Sequence, residues 1–108
     1  MSDAAVREFF AGLEQRIDRS KVQGLNAVYQ FHITGEGGGD WHIRFVDGEP
    51  QVVEGQADDP SITLTAAVET WSGIVSGEIN GQTAFLTGKL KIQGDMTLAM
   101  KLQSILQP

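Results

Sequence analysis

The sequence predicts an α+β domain: a five-stranded, mostly antiparallel sheet covered on one face by helices. Three observations carry that expectation. Apolar and polar residues alternate in several short runs, the signature of half-buried strands. Two of those runs meet at Asp47-Gly48, a pair suited to a two-residue hairpin because both positions tolerate positive φ. Apolar residues at helical spacing occur before, between and after the strand runs. A chain of 108 residues fits one domain spanning 1–108. It can bury roughly two-thirds of the surface its unfolded form exposes.

Each element follows from its residues. Residues 2–19 read as a helix with Val6, Phe9, Phe10, Leu13 and Ile17 on one stripe. Ser2 is its N-cap, Asp3 and Glu8 lie near the positive end of the dipole, and Gly24 breaks the run. Residues 26–34 alternate, with Ala27, Tyr29, Phe31 and Ile33 on one face. The run from Gly35 to Gly39 is a flexible connection. Alternation resumes with Trp41, Ile43 and Phe45 inward and His42 and Arg44 outward. A third strand covers 49–54, and Pro50, which cannot donate to a ladder, assigns it to an edge. A turn-rich connection over 55–60 leads to a fourth strand at 61–65. Residues 66–76 read as a helix carrying Val68, Trp71, Ile74 and Val75, stopped by Gly77. Asn80-Gly81 marks a turn before a short segment ending in Phe85-Leu86. The fifth strand, 87–93, points Leu90 and Ile92 inward and Lys89 and Lys91 outward, and Gly94 ends it.

Asp95 caps a last helix over 96–106, in which Met96, Leu98, Ala99, Met100, Leu102, Ile105 and Leu106 are all apolar. They cover more than a single stripe, so the helix must bury more than one face. The second face can meet the core, a second copy of the chain, or a cavity. Periodicity leaves these open.

Composition narrows the function. The net charge of −6 repels phosphate backbones, which argues against nucleic acid and against tight binding to anionic membranes. Lys89, Lys91 and Lys101 fall close together near the C-terminus, either as a solvated face or as a docking patch. Without cysteine there is no thiol nucleophile, disulfide or thiolate metal site, which suits a reducing compartment. No 18-residue apolar run is present. The N-terminus lacks the pattern of a secretory signal, so a cytoplasmic location is expected.

Signs of chemistry are weak. If Ile33 pairs with Trp41 across the glycine loop, His32 faces His42. The pair then reads as a solvent-facing contact rather than the start of a metal site. Asp58-Asp59 before Pro60 reads as a solvated turn rather than a general acid–base pair. The glycine run is followed by a strand, not the helix a phosphate loop needs. The eight aromatic residues are not interleaved with basic ones, as a nucleic-acid platform requires. The expectation is a non-enzyme without catalytic residues, metal or cofactor.

The stretch 84–103 carries Gly88-Lys89-Leu90-Lys91-Ile92, Gly94 and Leu98-Ala99-Met100-Lys101-Leu102-Gln103. It resembles the C-terminal signature of the sterol carrier protein 2 domain. Asp59-Pro60-Ser61-Ile62-Thr63-Leu64-Thr65 and the span 71–80 are similar to the family's fourth strand and following helix. The resemblance is strongest over 58–104, while the N-terminal third matches in element order only. It implies a hydrophobic tunnel between sheet and helices, and non-catalytic binding or transfer of a fatty acid, fatty acyl-CoA or sterol-like lipid. By position, it implies a tunnel lined by Trp71, Ile74, Val75, Phe85, Leu90 and Ile92, and by Met96, Met100 and Gln103 of the last helix. Plain core packing is the alternative for each. Methionine suits such a wall because its thioether adapts to varied shapes. The chain ends Leu106-Gln107-Pro108, not in a peroxisomal tripeptide, and no thiolase or dehydrogenase domain accompanies it, so a stand-alone protein is expected. An accessory role, holding or presenting lipid to a partner enzyme, is the alternative. A transient membrane contact and a homodimer through the last helix also remain open.

Overall fold

Gly12 divides the first predicted helix. The computed structural model describes residues 2–106, without the side chains of 2–5, 103 and 106, so the Ser2 cap lies outside the described residues. Helix α1 (Ser2–Ala11) stops at Gly12, α2 (Leu13–Arg16) continues for one turn, and a 3-10 turn follows at Arg19–Lys21. Val6, Phe10, Leu13 and Ile17 are buried, as the helical spacing predicts. Asp18 accepts from the Ser20 amide and hydroxyl, and these two bonds hold its carboxyl below the usual carboxylate range.

Five strands follow: β1 (Ala27–Thr34), β2 (Gly39–Val46), β3 (Glu49–Glu54), β4 (Ile62–Ala67) and β5 (Leu90–Gly94). The order in the sheet is β3-β2-β1-β4-β5. Only β1 and β4 run parallel; the other three pairings are antiparallel. Pro50 therefore lies on an edge strand, where its missing N–H costs nothing. Asp47 and Gly48 turn the β2–β3 hairpin with φ of 50° and 82°, as a two-residue turn of this hand demands. Helix α3 (Val68–Ser76) follows β4 directly, α4 (Gly81–Leu86) precedes β5, and α5 (Met96–Leu106) closes the fold.

The core lies between the inner sheet face, built from Tyr29, Phe31, Ile33, Ile43, Phe45, Ile62, Leu64 and Leu90, and the helices. Three expectations change here. Phe31, not Ile33, pairs with Trp41, so His32 faces Asp40 and His42 faces Gln30. A slip of two residues preserves which face each side chain takes, and alternation alone does not detect it. His42 points to the outer face but is buried, because the segment after β3 folds over it. Its ring donates to the Gly55 carbonyl at 3.0 Å, while Gln30 donates to the Trp41 carbonyl at 3.1 Å and accepts from the Ala57 amide at 2.7 Å. Asn80-Gly81 starts a helix rather than a turn, and that helix runs through Phe85-Leu86, since the Asn80 side chain caps it by accepting from the Gln82 and Thr83 amides.

Candidate functional site

Helix α3 enters from β4 and ends at Gly77, whose φ of 89° is a left-handed stop that suits glycine. Helical spacing puts Val68, Trp71 and Val75 on one stripe. Val68 and Trp71 are buried, yet Val75 is 38% exposed, so the inward stripe of α3 reaches water in its last turn. Ile74 is half-buried against the core and Gly73 packs on Ile79.

In α4 only Ala84 is buried; Phe85 is 37% and Leu86 75% exposed. The Ala84 carbonyl accepts from the Lys89 amide at 2.8 Å, which ties α4 to the start of β5. From β5, Leu90 is buried and Ile92 half-buried against the core. Gly94 (φ 114°) ends the strand against β4, where a Cβ would meet the Ser61 carbonyl oxygen at 2.5 Å.

The Asp95 carboxylate accepts from the Thr97 amide at 2.9 Å and starts α5. Leu98, Leu102 and Ile105 share one stripe; the last two are buried and Leu98 packs on the core. Met96 (44% exposed) and Met100 (74%) lie on the opposite stripe. Gln103 belongs to α5, but its side chain is outside the described residues. The residues that turn α5 toward the sheet are thus Leu98, Leu102 and Ile105, which the sequence reading did not assign to the site. Their 3–4 spacing was the available signal. Tyr29 secures the contact, its hydroxyl donating to the Leu98 carbonyl at 2.9 Å. Burial, helped by the nearby Asp95 charge, pushes the Tyr29 phenol up to about 12.

Trp71 has a distinct environment. Its ring is parallel to Phe10 at 5.8 Å, perpendicular to Phe9 at 5.5 Å and edge-on to Phe31 at 5.3 Å. Phe10 is in turn parallel to Trp41 at 5.0 Å, so it stands between the two indoles. The Trp71 indole Nε1 is buried and finds no acceptor among the described residues. Aromatic faces attract an N–H only weakly. Desolvation on the order of 1–3 kcal/mol is left uncompensated.

Charge is segregated as well. Residues 79–108 carry Lys89, Lys91 and Lys101 against Asp95 alone, whereas 1–78 carry five basic and thirteen acidic residues. The three lysines are exposed and beside the apolar side chains of α4, β5 and α5 in sequence. Elsewhere, the cleft lined by Val6, Arg7, Gly38, Trp41 and Glu54 measures about 90 Å³ and holds the Arg7–Glu54 ion pair. It is small beside the roughly 300 Å³ of the smallest ordinary ligand pockets. The described residues contain no cluster of three metal-ligating side chains, and Asp58 and Asp59 are exposed in their turn. No described helix is long and apolar enough to cross a membrane.

Known proteins share this fold. The chain is 33% identical over 103 residues to hydroxysteroid dehydrogenase-like protein 2 of Rattus norvegicus, a match covering 94% of this chain and 20% of that protein. The chain thus spans about a fifth of that relative's length. The solution structure of sterol carrier protein domain 2 of Helicoverpa armigera superposes with a TM-score of 0.77 at 31% identity, over 94% of this chain and 84% of that one. Palmitated SCP2L2 from Aedes aegypti has the same fold, with a TM-score of 0.77 at 22% identity over 100% and 96% of the two chains. The sequence profile of the SCP-2 sterol transfer family matches residues 8–107. The chain belongs to the SCP-2 sterol transfer family.

Proposed function

We propose that this domain binds a lipid without catalysis, taking a fatty acid, fatty acyl-CoA or sterol-like molecule into apolar space between the sheet and α3, α4 and α5. The observation that carries the reading is the incomplete closure of these helices. Val75 lies on an inward stripe yet meets water, and Phe85, Leu86, Met96 and Met100 leave apolar surface uncovered on the neighbouring elements. Where such side chains adjoin in one patch, soluble domains use it to bind a partner. Palmitate on the Aedes aegypti relative supports an acyl chain as that partner. On this reading Trp71, Ile74, Leu90 and Ile92 form the inner wall, and Val75, Phe85, Met96 and Met100 form the mouth.

What the domain does with the lipid divides into carriage and presentation. The much longer dehydrogenase-like relative favours presentation to an enzyme, in cis or in trans. The three lysines, free of acidic neighbours in sequence apart from Asp95, suit a transient anionic surface on a membrane or enzyme. A cytoplasmic setting fits the cysteine-free composition.

Native mass spectrometry of the purified chain, followed by denaturing extraction and lipid identification, tests the reading. A co-purified or added acyl lipid at one per chain is the expected result. A clean apo mass that takes up neither palmitate nor an acyl-CoA would reject it.

A further inference from the structure

The indole N–H of Trp71, without an acceptor among the described residues, is a donor held in apolar surroundings, one helical turn inward from the exposed Val75 on the same stripe of α3. A buried donor with no partner calls for an explanation, and a bound molecule that supplies the acceptor is one. We propose that Trp71 Nε1–H donates to a neutral oxygen of the bound lipid, a hydroxyl or an ester or thioester carbonyl, and so sets which lipids are held. This rests on the lipid-binding reading above.

The surroundings decide between a neutral and a charged acceptor. Around Trp71 lie the rings of Phe9, Phe10 and Phe31, which offer no second donor. Among the described residues, the aromatic-bound cations are one ring removed (Arg16, over Phe9) and two rings removed (Arg7, over Trp41). The Arg7 guanidinium lies 6.0 Å from the Trp41 ring and is paired with Glu54; that of Arg16 lies 4.9 Å from the Phe9 ring and donates to the Phe9 carbonyl. A carboxylate drawn to Trp71 would lose its hydration for a single hydrogen bond, which is strongly unfavourable. A hydroxyl or carbonyl gives up far less, and it removes the unsatisfied donor. Phe10 stacked on Trp71 also keeps the indole plane fixed, so the N–H direction is set before the ligand arrives.

The test uses three twelve-carbon probes, 1-dodecanol, dodecane and dodecanoate, with the whole chain. Two tryptophans give two indole N–H resonances, and Trp71→Phe assigns them. The expected result is a downfield move of the Trp71 indole proton with dodecanol and none with dodecane. Trp71→Phe, whose folding the Trp41 resonance reports, should weaken dodecanol binding about fivefold to tenfold more than it weakens dodecane binding, the range of one buried hydrogen bond. If both alkyl probes bind and the Trp71 resonance stays in place, the inference fails while lipid binding stands. If dodecanoate moves it and dodecanol does not, the neutral-acceptor assignment is wrong. If no probe perturbs any resonance, both the inference and the lipid-binding reading fall.

Discussion

At the β1–β2–β3 end of the sheet, aromatic residues are spent on closure. Phe10 is fully buried between Trp41 and Trp71, Phe31 and Phe45 are buried in the sheet, and on the outer face hydrogen bonds join Gln30 and His42 to the segment after β3. At the β5 end, the large apolar side chains of α4 and the Met96–Met100 stripe of α5 are left in water, and the local charge is positive in a chain that is acidic elsewhere. The first region is closed on its inner face, with Val46 and Val53 exposed on the outer one. The second has the apolar residues of a core without the neighbours that would complete it. The difference separates stability from function: substitutions at the closed end should unfold the domain, and those at the open end should alter binding with little effect on folding.

The strongest way to break this division is Phe10→Ala. Emptying the space between two indoles should cost about 3–5 kcal/mol, as a large cavity in a tight core does. Urea denaturation should show most of the domain's stability gone; a loss near zero would mean that the stack is not the core of the fold. A smaller effect comes from Tyr29, which joins the closed sheet to α5. Below pH 10 the phenol is neutral in both folded and unfolded chains. Between pH 10 and about 12 the unfolded chain loses the proton first, so stability falls as pH rises. The loss reaches roughly 2–3 kcal/mol above pH 12, from a shift of about two units. Urea midpoints from pH 9 to 12 should show that slope, and Tyr29→Phe should flatten it. At neutral pH, Tyr29→Phe should cost about 1 kcal/mol through the lost hydrogen bond to the Leu98 carbonyl, read from the same urea curves. The smallest stability effect is expected for Leu86→Ser with Met100→Ser, within about 0.5 kcal/mol by thermal melt. The same pair should slow palmitate transfer between vesicles by about fivefold, because each lost apolar contact weakens the lipid-facing surface. A large drop in melting temperature with unchanged transfer would reverse the roles of the two ends.

Much of this was legible in the sequence where one residue imposes one geometry. Pro50 named an edge strand, Asp47-Gly48 a hairpin, Gly77 a helix stop and Asp95 a cap, and each is where those constraints put it. The slip across the glycine loop was not legible, because pairing Phe31 or Ile33 with Trp41 satisfies the same alternation. His42 looked exposed because its cover comes from Gly55, outside the strands altogether. Helix α4 is six residues long, too short for periodicity to mark, and Asn80 starts turns and helices alike. The apolar breadth of α5 was readable, but its division into a packed stripe through Leu102 and an exposed stripe through Met100 required the sheet to be in place. That the Trp71 indole lacks an acceptor among the described residues had no sequence signal, since it depends on what surrounds the ring.

Hydrogen exchange with and without palmitate tests most directly whether the open end is where lipid binds. The account predicts slowed exchange in residues 75–100, across the end of α3, α4, β5 and the start of α5, with β2 and β3 unchanged. Protection confined to 39–54, or none anywhere while palmitate is bound, would contradict it.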